Sequence, residues 1–164
     1  MRTLGLFFAW ALSAIVAYVL AAIASQQVVL AGVGAYKDVS LSENVQTTLA
    51  AIVAQPIGTL YVLVIAVGFL IAFYVADLIK AVLPRLSGIA YPTAGAVAIV
   101  VALVLMRAQY DIVPILGAQS TYGFWLQVLA GVIGGVVFEI LRPKDRDERA
   151  GLRRMGPKRG RARR

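Results

Sequence analysis

The chain has 164 residues, of which 60% are hydrophobic and 15% charged, and its mean hydropathy is +0.82; soluble domains carry about a quarter charged residues. A globule this small has too much surface to hide so apolar a composition from water, so the expected solvent is lipid. The absence of Cys and His excludes disulfides, thiol chemistry, imidazole bases and His-ligated haem or metal, and no cofactor is expected.

The formal net charge of +8 is confined to one end. Residues 142–164 hold eleven Lys or Arg and three acids, whereas residues 1–141 balance five basic groups against five acids. A basic isoelectric point therefore describes a tail and not a folded, nucleic-acid-binding face.

Four apolar stretches approach the roughly 20 residues that cross a ~30 Å hydrocarbon layer as helix. They are Leu4 to Ala24, Ile57 to Ile79, Ile89 to Met106 and Tyr122 to Leu141. The fold class is therefore all-α, a four-transmembrane-helix bundle. Arg2, the apolar run and Ala22-Ile23-Ala24 also resemble a cleavable signal peptide, but the run is longer than such a region usually is, and a retained first span is the expectation.

Between the first two spans, Gln26 to Tyr36 carries Gly32 and Gly34 and reads as a turn or shallow re-entrant piece. Ser40 followed by Glu43 is a capping-box pattern, and Leu41, Val45, Leu49, Ile52 and Val53 recur at helical spacing. A short amphipathic helix over 41–54 is expected, lying in the membrane interface or capping the bundle as a lid over the span ends, with a partner-docking face as the alternative. Pro84 and Gly88 separate spans two and three. Pro92 falls in a first turn, where its missing N–H costs little, and Pro114 with Gly117 breaks the chain before span four. Tyr110, Tyr122 and Trp125 lie where span ends meet headgroups. Arg2, Lys80, Arg85 and the tail share one side by the positive-inside bias, which predicts both termini in the cytoplasm and a multi-pass protein of the cell inner membrane. The Gly- and Pro-bearing tail over 142–164 is expected to be disordered.

Helices in lipid associate by close approach and a few polar bonds, so small residues mark packing faces. Such ladders run through Ala9, Ser13, Ala17 and Ala21, through Gly68, Ala72 and Ala76, and through Ala94, Ala98 and Ala102. The fourth span adds Ala130, Gly131, Gly134 and Gly135, with Gln127 one turn earlier. Two uses of that glycine face are open: packing within the chain, or a seam in a homo-oligomer.

No ionisable group sits near a span centre, where a proton relay or ion path would need one. Asp77 with Lys80, and Glu139 with Arg142, form local acid–base pairs at span ends, as do Arg107 and Asp111 on the other side. No Ser or Thr converges with a base, and no phosphate-cradling loop is present, so no enzyme is expected. The leading expectation is a non-enzymatic assembly, scaffold or accessory subunit working through helix packing, alone or in a larger membrane complex. A second is a transporter or channel component with a polar path near Asp77, Lys80, Glu139 and Gln127. A third is a tether whose tail contacts anionic lipid, RNA or ribosome. Arg142, Lys144, Arg153, Arg154, Lys158 and Arg159 are the expected contacts to anionic headgroups, and nucleic acid is the less favoured partner because no aromatics interleave the charge.

Overall fold

The computed structural model describes residues 2–34, 40–53, 56–83, 88–110 and 116–143. The described residues are helical, with no strand among them: α1 (Arg2–Gly34), α2 (Leu41–Val53), α3 (Pro56–Val82), α4 (Ala90–Tyr110), a single 3-10 turn (Leu116–Ala118) and α5 (Thr121–Leu141). Four of these helices are long and apolar enough to cross a membrane, over Thr3–Gly32, Tyr61–Val82, Ala90–Gln109 and Thr121–Leu141, and the chain is multi-pass by that measure. Lys37, Asp38, Arg85, Asp111 and residues 144–164 lie outside the described residues, and with them most of the basic tail.

The helix ends follow local chemistry. Ser40 and Glu43 close the capping box reciprocally: the Ser40 N–H donates to the Glu43 carboxylate, and the Glu43 N–H donates to Ser40 Oγ, each at 3.2 Å. Pro56 opens α3, where its missing N–H has no intrahelical partner to lose. Ser120 caps α5 by accepting from the Gly123 N–H at 3.0 Å.

Successive long helices run antiparallel, and the four close a ring in which α5 packs on α1 and α4, and α3 packs on α4 and α1. The first and last described segments meet at one end, where Pro143 lies against Gly5. At the opposite end, the Gly117 N–H donates to Ser25 Oγ at 3.2 Å, seating the 3-10 turn on α1. The core holds Ile65, Phe69, Phe73, Tyr91, Ile99, Leu103 and Phe138, with Ala9, Ala17 and Ala21 along the α1 side. Phe73 and Phe138 stack across the ring at 4.3 Å between centroids.

The tightest seam joins α4 to α5. A methyl on Gly131 would meet Ile99 Cγ1 at 2.6 Å and the Gly95 carbonyl; one on Gly135 would strike the carbonyl of Tyr91. Gly134 faces α1 and α3 instead, where a methyl would lie 2.9 Å from Ala17 Cβ and 2.7 Å from the Phe69 ring. The α5 glycine face is thus covered inside the chain and presents no bare seam for a second copy.

Two expectations change. The segment from Gln26 is neither turn nor re-entrant: α1 continues through it to Gly34. Gly32 sits in open space within the helix, and the Gln27 amide donates to Asn44 Oδ1 of α2 at 2.9 Å, so pairing with α2 stabilises the extension. Nor does the apolar stripe of α2 close over the span ends as a lid would: Leu41, Val45 and Leu49 are exposed, and of the stripe only Ile52 joins Asn44 and Thr48 among the described half-buried residues beside α1.

Overpacking a close seam costs about 1–3 kcal/mol. Gly135→Ala is therefore expected to lower unfolding stability in mixed micelles by that amount. Ile140→Ala on the outward face of α5 should stay within about 0.5 kcal/mol of the parent in the same denaturant titration.

Candidate functional site

Three features could carry function: a buried polar bridge, an ionic cluster at the end holding Gly5 and Pro143, and an apolar groove on the outside of α3 and α4.

The bridge is built around Gln127, whose side chain is fully buried. Its Oε1 accepts from the Tyr61 hydroxyl at 2.9 Å, and its Nε2 donates to the Ala21 carbonyl at 2.9 Å. One amide therefore ties α5 to α3 and α1 together. Tyr18 stands beside Tyr61, 6.5 Å between ring centroids, and donates to the Ile52 carbonyl at 3.1 Å. Lower in the bundle, Trp10 Nε1 donates to the Ala66 carbonyl at 3.0 Å, a second α1–α3 tie. Ser13 is buried on the α1 ladder, but its hydroxyl donates back to the Trp10 carbonyl of its own helix at 2.8 Å. Among the described residues every buried side-chain nitrogen and oxygen has a partner, as a low-dielectric interior demands.

The ionic cluster gathers the ends of α3 and α5 around the start of α4. Glu139 accepts from Arg142 Nε at 3.0 Å and lies 3.8 Å from Lys80 Nζ. Tyr91 donates its hydroxyl to the Asp77 carboxylate. Its ring lies under both cations, 4.6 Å from Lys80 Nζ and 4.9 Å from the Arg142 guanidinium carbon. Two acids, two cations and an aromatic face compensate one another, and Phe73 and Phe138 pack against the same ring. The structure thus brings Lys80 and Glu139 together and couples Asp77 to them through Tyr91. Gln127 is not part of this group: twelve residues separate it from Glu139 along α5, about 18 Å, and Phe69, Phe73 and Phe138 fill the ring between them.

The groove lies along the outward side of the α3–α4 contact, with a volume of about 900 Å³. Its floor is the two small-residue ladders, Gly68, Ala72 and Ala76 against Ala94, Ala98 and Ala102, and its walls include Val67, Ile71, Val97 and Val101. The helices touch beneath it at Gly68, where a methyl would sit 3.7 Å from Ala98 Cβ. From Leu63 to Ile79 it runs about 24 Å at 1.5 Å per residue, most of the hydrocarbon thickness. Thr93, the polar residue on its edge, donates its hydroxyl to the Ile89 carbonyl at 2.8 Å.

Sequence reasoning singled out Gln127, Asp77, Lys80, Glu139 and Arg142 but passed over Tyr61, Tyr91 and Gly95. Each tyrosine lies near an end of its helix, a position that hydropathy reads as headgroup anchoring; the rings turn inward instead and are 5% and 0% exposed. Gly95 is a single glycine beside the alanine ladder, and only its register against Gly131 gives it meaning.

Compared with known proteins, the chain matches no family model, no curated protein and no solved structure. Its functional reading therefore stands on geometry.

Interhelical side-chain bonds in lipid average about 0.6 kcal/mol and reach about 1.7. A double-mutant cycle between Tyr61→Phe and Gln127→Leu is expected to give a coupling energy in that range. A cycle between Tyr61→Phe and Leu129→Ala, with Leu129 facing outward, should return no coupling within experimental error.

Proposed function

We propose that this protein is a small inner-membrane subunit that acts by association, as an assembly, scaffold or accessory component, and that its contact surface is the α3–α4 groove. The observation that carries the reading is that groove: half-buried Gly68, Ala72 and Ala94, with Ala76, Ala98 and Ala102 beneath, floor a channel between exposed Val67, Ile71, Val97 and Val101 along most of a membrane thickness, on the outside of a bundle whose interior seams are already filled. Small floors between large walls suit a facing helix, because in lipid association is driven by close van der Waals approach. The α5 glycines, by contrast, are consumed by Gly95, Tyr91, Ala17 and Phe69.

Both termini belong to the cytoplasmic side in this reading. The contact of Pro143 with Gly5 supports a common end, and Arg2, Lys80, Arg85 and the tail supply the positive charge there. The tail leaves the bundle at the membrane surface, where Lys144, Arg153, Arg154, Lys158 and Arg159 would each gain about 1 kcal/mol beside an anionic leaflet. That contact anchors topology and needs no nucleic acid.

A photo-crosslinking residue at Val97 on the groove wall should give a protein adduct of defined mass in native membranes. The same residue at Leu129, exposed on α5, should label lipid alone. Filling the floor with Ala72→Leu and Ala94→Leu should reduce the Val97 adduct about tenfold, equivalent to roughly 1.4 kcal/mol, without lowering unfolding stability. Lipid-only labelling from both positions would overturn the proposal.

A further inference from the structure

One flank of α2, about 60° round the helix from its line of contact with α1, is an exposed apolar stripe, while Ser42, Glu43 and Gln46 lie on the side opposite α1. The half-buried residues of α2 are Asn44, Thr48 and Ile52, one line of contact to α1, while Leu41, Val45 and Leu49 are 86%, 57% and 57% exposed. A helix docked on a protein in water turns its apolar stripe inward. In lipid the preference reverses, since polar side chains bond between helices and apolar ones face the solvent.

The depth of α2 agrees. Tyr18 donates to the Ile52 carbonyl at 3.1 Å and Gln27 to Asn44 at 2.9 Å, so α2 descends antiparallel along α1 and does not lie across it. Counted from Thr3, where the first span begins, Tyr18 stands about 22 Å along α1 and Gln27 about 36 Å. Hydrocarbon accounts for about 30 Å of that distance, and a headgroup layer adds about 5–7 Å at each face. Leu49 consequently falls at the level of acyl chains, Val45 at the boundary, and Leu41 among the headgroups. On the opposite flank Glu43 and Thr47 are exposed, and the Thr47 hydroxyl bonds back to the Glu43 carbonyl at 2.8 Å.

We infer that α2 is an embedded half-span: the stripe of Leu41, Val45 and Leu49 is a lipid-contact surface in the leaflet at the end of the bundle opposite Gly5 and Pro143. The occupant is phospholipid, because the stripe lies at membrane depth beside α1, to which α2 is fastened by Asn44 and Thr48 on Gln27 and by Tyr18 on the Ile52 carbonyl. The α2 helix thereby widens the bundle in one leaflet only. This rests on α1 spanning a bilayer and not on the groove proposal, so the two fail separately.

The chain has no cysteine, which permits single-cysteine spin labels at positions 41, 42, 45, 46 and 49 without a background substitution. After reconstitution in vesicles of phosphatidylcholine and phosphatidylglycerol, labels replacing Val45 and Leu49 should be accessible to oxygen and shielded from a water-soluble nickel chelate. The label at Leu49 should be the deeper of the two, and the label at Ser42, at the headgroup end of α2, should favour the nickel chelate. Equal nickel access at Val45, Leu49 and Ser42 would overturn the inference. So would spin–spin broadening at Val45 that disappears on dilution with unlabelled protein, since a second copy would then cover the stripe. Restricting the comparison to variants that retain the parent's elution volume and helical signal keeps misfolding from mimicking either result.

Discussion

The close approach of α4 and α5 through Gly95, Gly131 and Gly135 is the constraint on which the rest of the bundle depends. Lipid tails are as apolar as the helix surfaces, so no hydrophobic force drives these spans together once inserted. What remains is contact area, and glycine increases it by letting one backbone rest on another, with a methyl at Gly131 or Gly135 meeting the carbonyls of Gly95 or Tyr91. With that seam closed, α5 presents Gly134 to Ala17 and Phe69, and the aromatic core forms across the ring.

Polar groups set the rotation of each helix. A side chain that can hydrogen-bond has few choices in hydrocarbon, so Gln127 ties α5 to Tyr61 and to the Ala21 carbonyl, and Trp10 ties α1 to the Ala66 carbonyl. These bonds are modest individually, but they penalise any rotation that would leave an amide or indole N–H facing lipid. At one end the same logic operates with charge. Tyr91 accepts two cations over its face while donating to Asp77, and Glu139 joins Lys80 of α3 to Arg142 after α5. The bundle is pinned at two levels, with aromatics between.

Much of this architecture was legible in the sequence, for a physical reason. Bilayer thickness imposes length on any apolar helix, so the second, third and fourth spans and the start of the first could be placed within four residues, and the Glu139–Arg142 pair at three-residue spacing could be seen locally. The α1 extension was not legible, because Gly32 and Gly34 are turn signals in isolation and only the pairing of Gln27 with Asn44 of α2 stabilises the helix there. The setting of α2 stays open in the sequence for a related cause: its stripe of Leu41, Val45 and Leu49 shows that one side is apolar but not what that side touches. Contacts between helices, such as Lys80 with Glu139 or Gly95 with Gly131, depend on relative rotation, which one-dimensional spacing does not contain. Tyr61 and Tyr91 escaped notice because an aromatic near a span end reads as an anchor until its hydroxyl is seen to have an inward partner.

What the filled interior leaves over is the outward groove between α3 and α4, and the account stands on its being an interface between helices. The most direct measurement is a cryo-electron-microscopy reconstruction of the protein extracted with its surrounding membrane into polymer-bounded nanodiscs. A rod of helical density seated over Gly68 and Ala98 is the predicted result. A groove holding only acyl chains, with any neighbouring helix contacting the outward face of α5 at Leu129 and Ile133 instead, would contradict it.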